Sequence, residues 1–292
     1  MSVQITALSD PDAGHTNHRL AWLAAEDGIP VGAAFLRLFD AAGQAHLGDL
    51  ELNVHPAERR RGVGSLLLER AVAAARSEGR RTVVAQTAGD SAGEFFLPAR
   101  GFRMVLTLIY ARLVLEAADL RALAAAVAQE HPGYRLVSWD GLVPEHLTES
   151  FAASRVAMDD MPMDDTDYGA VTWDVARVKA AARAVADRGQ LLHTVVALNT
   201  SDGTVAGFTE LVVPGDGTGD GQCYGTAVLP THRGRGLAGW MKALSIVEAA
   251  QRHPRLGGLV TDTAQSNVRM RAINDALGFI PTHQELQYQL DL

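Results

Sequence analysis

The pattern Arg-x-x-Gly-x-(Gly/Ala) occurs twice in this chain, each time in the same setting. "LNVHPAERRRGVGSLLLERAVAAARSEG" begins at Leu52, and "AVLPTHRGRGLAGWMKALSIVEAAQRHP" begins at Ala227. Aligning Arg59 with Arg233 puts Gly62 on Gly236, Gly64 on Ala238 and Pro56 on Pro230. Further on, "ARGF" ending at Phe102 answers "ALGF" ending at Phe279 with nearly the same shift. A register kept over so much chain predicts two related modules. A length of 292 residues agrees with two domains.

The order of elements repeats too. In the first copy "DLELNV" alternates polar and apolar residues, as a half-buried strand does. The Arg/Gly loop follows. A helix is expected from Val63 to Glu78, with Leu66, Leu67, Ala71 and Ala74 on one face and Gly79 as its stop. "RTVVAQ" reads as a strand, "SAGEFFLPARGF" as a short helix, and "FRMVLTLIYARLVL" as one or two closing strands. In the second copy "QCYGTAVL" is the strand before the loop, and a helix runs from Leu237 to Arg252 until Pro254 ends it. "GLVTDTA", "NVRMRAINDAL" and "HQELQYQL" read as strand, helix and closing strand. Upstream lie a strand "YRLVSW", helices near "PEHLTESFAASRV" and "TWDVARVKAAARAVADRG", and strands "LLHTVVALN" and "TVAGFTELVV". The N-terminal copy has only "SDPDAGHTNH" where the C-terminal copy has its helical pair. Leu115 to Gly133 reads as a helix joining the modules. The expected division is 1–115, a truncated module; 116–133, a helical linker; and 134–292, a complete module.

A strand that ends in a glycine-rich turn and feeds a helix exposes unpaired backbone N–H groups, and the helix dipole adds positive charge there. Such a turn is an anion site, phosphate above all. Glycine lets the ligand approach the backbone, and Arg233 and Arg235 can add charge-assisted contacts. "GRGLAG", Gly234 to Gly239, also fits the dinucleotide fingerprint G-x-G-x-x-G. The first copy lacks two of those glycines, and what repeats is the arginine-first pattern, so a nicotinamide site is set aside.

Formal net charge is −8. General nucleic-acid binding needs clustered cations, so no nucleic-acid partner is expected. One cysteine, Cys223, rules out an internal disulfide framework and a multi-thiolate metal site. Cys223 has no base placed to activate it and reads as a small buried side chain. His15 and His18 are the closest histidine pair and have no further ligands at metal spacing, so no metal is expected. The N-terminus has no basic start or apolar core, and the longest apolar stretch, near "MVLTLIYARLVL", is interrupted by Arg112. No membrane partner and a cytoplasmic location are expected.

The Arg-first loop between strand and helix, with Asn267 opening a later helix that ends at Gly278–Phe279, resembles the GNAT acyltransferases. The resemblance covers almost the whole chain as two modules. It implies an α/β (α+β) fold of two tandem domains, each a mixed, mostly antiparallel central sheet flanked by helices. It implies acetyl-CoA as cosubstrate. The pantetheine arm would pair with the backbone of Thr226, Ala227 and Val228. The diphosphate would sit on Arg233, Gly234, Arg235, Gly236, Leu237, Ala238 and Gly239, with Asn267 near the arm. The matching positions in the first copy are Leu52, Asn53 and Val54, then Arg59, Arg60, Arg61, Gly62, Val63, Gly64 and Ser65.

In this family acceptors bind partly against the helical pair after the first strand, so the resemblance points to the C-terminal module as the working one. A lysine-like amine with pKa about 10.4 is mostly protonated at neutral pH, a cost of roughly 4–5 kcal/mol at pH 7. A base therefore helps. Glu210 in "TELVV" is the first candidate, and Tyr224 could relay. A backbone N–H near Val228 would hold the oxyanion. The family often places a tyrosine four residues before the late Gly-Phe glycine; here Asn274 and Leu97 stand there. Asn274 can donate a hydrogen bond or be structural. "MDDMPMDDTDYG", between the paired helices, carries five aspartates, and Asp164 and Asp165 are candidates to attract a cationic amine. The reading is a small-molecule N-acetyltransferase, monomer or homodimer. An acyl-CoA-binding regulatory protein and a protein N-acetyltransferase are the alternatives.

Overall fold

A computed structural model describes residues 3–8, 17–41, 43–169 and 171–292. Most of the "SDPDAGHTNH" connection, His15 included, lies outside the described residues. The contacts divide the chain into two compact units.

The first unit comprises residues 1–107, 163–171 and 284–292. Its strands are β1 (Val3–Leu8), β2 (Asn17–Glu26), β3 (Ile29–Phe39), β4 (Leu47–Val54) and β5 (Thr82–Ala88). Its helices are α1 (Val63–Ser77) and the short α2 (Ala92–Phe96). Neighbouring strands are antiparallel except β4 and β5, which are parallel and joined through α1. Leu67, Leu68, Ala71 and Ala75 of α1 pack on Trp22, Leu36, Leu38, Leu50 and Val83. The even positions of β3 and β4 face this helix, because side chains alternate along a strand.

The second unit comprises residues 108–162 and 172–283. It takes most of β6 (Arg103–Val114), then α3 (Leu120–Val127), β7 (Tyr134–Asp140), α4 (Thr148–Ser154) and α5 (Val175–Asp187). There follow β8 (Gln190–Asn199), β9 (Val205–Pro214), β10 (Gly219–Val228), α6 (Leu237–Arg252), β11 (Leu256–Ala264) and α7 (Val268–Ala276). The strand order is β6-β11-β10-β9-β8-β7, again with one parallel pair, β10 and β11. α3, α6 and α7 belong to one face of this sheet; Leu211, Val213 and Leu259 pack there with Leu123, Ala243 and Ile246. α4 and α5 cover β8 and β9 on the other face, where Phe208 meets Phe151 and Val178. Each unit is therefore a mixed, mostly antiparallel sheet with helices.

Three features differ from the division expected from sequence. β6 is one continuous strand, so the chain does not break at residue 115. Its C-terminal part pairs with β11, from Gly258↔Val114 to Ala264↔Leu108. The last strand, β12 (Ile280–Asp291), pairs with β5 of the first unit, from Glu285↔Ala88 to Asp291↔Thr82. Leu286 and Tyr288 thus enter the core around Trp22. Alternation shows which side of a strand is buried, but it does not name the neighbour that completes the ladder. Finally, the linker helix is only Leu120–Val127, capped by the Asp119 side chain accepting from Ala122 N–H at 2.9 Å. Gly133, at φ +84°, turns the chain into β7.

Candidate functional site

The two Arg/Gly turns share their backbone geometry. Gly62 precedes α1 at φ 88°, ψ −10°, and Gly236 precedes α6 at φ 74°, ψ 0°. Both lie in the left-handed region, where glycine is at home. No side chain caps either helix, so the first-turn N–H groups face outward unclaimed. A Cβ added at Gly62 or Gly234 would meet nothing within 4 Å, so an anion can approach the backbone. At Gly236 the nearest such atom belongs to the His131 ring, at 3.3 Å. That ring stacks on Trp240 at 4.1 Å, and its Nδ1 lies 3.2 Å from the Arg235 carbonyl, bracing the turn from behind.

The arginines divide their work in a way the sequence did not show. The first of each set turns inward: Arg59 Nε donates to the Val54 carbonyl at 3.2 Å, and Arg233 Nε donates to the Val228 carbonyl at 2.9 Å. Arg233 also pairs with Asp160 at 2.8 Å. Arg61 is neutralised by Glu26 and Glu58, whereas its counterpart Arg235 has no carboxylate partner among the described residues. Arg60 stands at φ +66° where the second turn has Gly234 at φ +77°. The cation left for a ligand is thus Arg235 in the second unit and Arg60 in the first.

Each turn lies at the end of a fork. β4 pairs with β5 only from Leu47↔Thr82 to Leu50↔Ala85. β10 pairs with β11 only from Gly219↔Leu256 to Gln222↔Val260. Beyond those points the inner edges of β4 and β10, including Leu52–Val54 and Thr226–Val228, have no strand partner among the described residues; Arg59 and Arg233 take the Val54 and Val228 carbonyls, and the remaining edge groups are left for an extended ligand. The forks differ at one place. β10 bulges between Cys223 and Gly225, whereas β4 runs against β3 in unbroken register. A bulge bends its strand and re-aims side chains, and such bulges concentrate beside active sites.

A model of the acetyltransferase (GNAT) family matches residues 4–102 and 158–279. The chain belongs to the GNAT acetyltransferase family. Acetyl-CoA is the donor that this family uses. The chain is similar to a tandem GNAT protein from the clavulanic acid biosynthesis pathway. They are 25% identical, with TM-score 0.77 over 96% of this chain and 84% of that one. It is similar in fold to a GCN5-related N-acetyltransferase from Sphaerobacter thermophilus, 15% identical, with TM-score 0.66 over 93% and 80% of the two chains. A fungal glucosamine N-acetyltransferase region shares the fold at 15% identity and TM-score 0.67, covering 92% of this chain and 33% of that one. Among curated proteins no sequence matches.

Within this GNAT fold the remaining sequence candidates take definite places. Glu210 lies on β9, paired with Gly225 at the bulge and facing the α4/α5 side. It is buried, and Arg155 holds both of its oxygens. Burial raises its pKa against the pull of that guanidinium. Both oxygens being engaged, Glu210 anchors Arg155 and is poorly placed to collect a substrate proton, contrary to its expected role. Tyr224 is the bulged residue; it is half exposed, and its hydroxyl accepts from Arg188 at 3.1 Å. Asn274 is buried inside the module, donating from Nδ2 to Thr263 Oγ1 at 3.2 Å, which is a packing role. Asn267 caps α7 by accepting from Met270 N–H at 3.2 Å, so its side chain is committed to the helix. Leu97 belongs to the first unit's core. Cys223 is packed toward α6, and burial raises its thiol pKa.

Asp164 and Asp165 fall in the first unit, not in the acceptor side of the second. Asp165 donates its N–H to the Val105 carbonyl at 3.2 Å, and its own carbonyl accepts from Arg103 at 3.4 Å. Two functional candidates escaped the sequence reading. Arg155 was one arginine in a helix, and only the fold surrounds it with Phe151, Trp173 and Phe208. Asp262, in "GLVTDTA", looked like an ordinary polar position of an alternating strand.

Proposed function

We propose that the second unit transfers the acetyl group of acetyl-CoA to a primary amine of a small molecule by direct attack. The observation that carries this reading is the bulged fork. Among the described residues only β10 combines an open inner edge, a bulge at Tyr224 and a left-handed glycine turn feeding a long helix, and α4 and α5 stand on that face as one wall for an acceptor. The pantetheine arm would pair along Thr226–Val228, and the diphosphate would take the N–H groups from Gly234 to Gly239, with Arg235 as the uncommitted cation. Val228 N–H is the candidate oxyanion donor. The first unit keeps the cradle but has an unbulged β4, which suits binding of acyl-CoA without turnover.

The test is thiol release from acetyl-CoA with ethanolamine, putrescine, glucosamine and lysine as acceptors. Release is expected with at least one of them, lost in Gly236→Glu and kept in Gly62→Glu. No release by the folded wild type, or loss with Gly62→Glu alone, would overturn the reading.

A further inference from the structure

We propose that Asp262 is the general base that takes the proton from the attacking amine; this rests on the acetyl transfer just described. Three independent features of its position lead there.

The first is its place on the strand. The last residue of β11 paired with β10 is Val260. Asp262 lies two residues further on, so it projects from the same face as Val260 at the point where the fork has opened. Thr261 and Thr263 point the other way, and Thr263 accepts from Asn274 of α7. Gln222 and Tyr224 of β10 share the face of Asp262, as does Tyr110, its partner on β6. That is also the face on which α4 and α5 stand.

The second is elimination among the acids on this face. Glu210 is bound through both oxygens by Arg155. Asp220 is bound through both oxygens by Arg112, at 2.8 Å each. Among the described residues Asp262 has no ion pair and no hydrogen bond to another residue's side chain; its carboxylate accepts from its own backbone N–H, and it is exposed to solvent. Of these three strand acids it is the one left free to accept a proton. The other titratable or charged groups of this face are Tyr224 with Arg188, and Tyr110, whose ring stacks on His283 at 4.6 Å.

The third is its environment. Desolvation raises the Asp262 carboxyl above the usual carboxylate range. The side chain stays exposed to solvent, so it can exchange its proton, and carboxyls with raised pKa concentrate at working sites. The upward direction makes the carboxylate more basic, which favours taking a proton.

The step balances without a further reactant. The neutral amine nitrogen attacks the thioester carbonyl carbon, and the N–C bond forms. The C–S bond breaks, and its electron pair leaves on sulfur as the thiolate. The alkylammonium first gives one proton to the Asp262 carboxylate, directly or through one water, and this is what makes its nitrogen neutral for attack; the second proton, shed on attack, goes to the thiolate to give the free thiol, and Asp262 returns its proton to solvent.

The test compares two nucleophiles in wild type, Asp262→Asn and Asp262→Glu. One is the fastest amine of the four named above. The other is hydroxylamine, which is already neutral at pH 7 and needs little help from a base. Asp262→Asn should lower kcat for the alkylamine by about 10²–10⁴-fold. It should leave hydroxylamine turnover and calorimetric acetyl-CoA binding within about threefold, while Asp262→Glu recovers part of the alkylamine rate. The acid limb of the wild-type alkylamine pH profile should vanish in Asp262→Asn. Unchanged alkylamine turnover in Asp262→Asn overturns the assignment, as does an equal loss for both nucleophiles. Wild-type release with hydroxylamine but with no alkylamine would leave acetyl transfer standing and remove the base. No release with any nucleophile removes both.

Discussion

Arg155 grips both oxygens of Glu210, by a hydrogen bond from Nη2 to Oε1 at 3.0 Å and an ion-pair contact of Nη1 with Oε2 at 2.8 Å, with both side chains buried. The guanidinium also lies 4.3 Å from the Trp173 ring centroid and 4.7 Å from that of Phe208. The pair ties Arg155, just after α4, to the middle of β9, and so fixes the α4 wall on the sheet. Removing one partner leaves the other charge buried and alone. Glu210→Ala should therefore destabilise the second unit by about 3–5 kcal/mol in denaturant unfolding. Glu210→Met combined with Arg155→Met should recover most of that loss. A single Glu210→Ala that unfolds like wild type would show the pair to be ornamental.

The strand exchange makes a second prediction. Leu286 sits near the C-terminus, yet its buried side chain belongs to the core of the N-terminal unit. Leu286→Ala should cost about 2–5 kcal/mol there, through lost burial and the cavity left behind. Trp22 is the one tryptophan of that core; Trp139, Trp173 and Trp240 all lie in the other unit. Hydrogen exchange should accelerate in β2–β5 and not in β8–β10. Faster exchange confined to residues after Leu108 would contradict the pairing of β12 with β5.

Much of this was legible in the residues and some was not, for physical reasons. The two turns could be read because glycine at positive φ and arginine beside it leave a local signature, and α6 was delimited from Leu237 to Arg252 by Gly236 and Pro254. Partners of long strands leave no such mark. "HQELQYQL" shows an inward face with Leu286 and Tyr288, but nothing in it says whether β5 or β11 lies alongside. The same limit hid the fate of Glu210. A carboxylate on a strand reads alike whether it meets solvent, substrate or an arginine contributed from far earlier in the chain. Nothing in "GLVTDTA" marks Asp262, because its position matters only through where β10 and β11 part, which is a property of the sheet.

Arg112 and Asp220 supply a pH prediction. The hydrogen bonds from Arg112 hold the Asp220 carboxyl below its ordinary pKa. A carboxyl depressed by folding binds its proton less readily in the native state than in the unfolded chain. Its contribution to stability is thus present above the unfolded pKa and is lost as pH falls through that value toward the folded one. Asp220→Asn should lower stability near neutral pH and flatten part of the acid limb, so that the two curves converge in acid. Parallel curves from neutral pH into acid would mean that the pair contributes nothing through ionisation.

Arg60 offers a sharper test of what the first turn is for. At φ +66° it holds a backbone conformation that costs a non-glycine residue about 1–2 kcal/mol. The second turn relieves the same geometry with Gly234. Strain of this kind persists where the site gains something from the side chain, and here Arg60 is a cation at the doorstep of α1. Arg60→Gly should stabilise the first unit by about 0.5–1 kcal/mol, the relief being partly offset by the greater freedom of glycine in the unfolded chain. In a Gly236→Glu background, where only the first turn remains, the same change should weaken acetyl-CoA binding several-fold and reduce its salt dependence, since one fewer charge faces the ligand. Higher stability with undiminished binding would make the arginine incidental. Lower stability would mean that Arg60 makes contacts worth more than its strain.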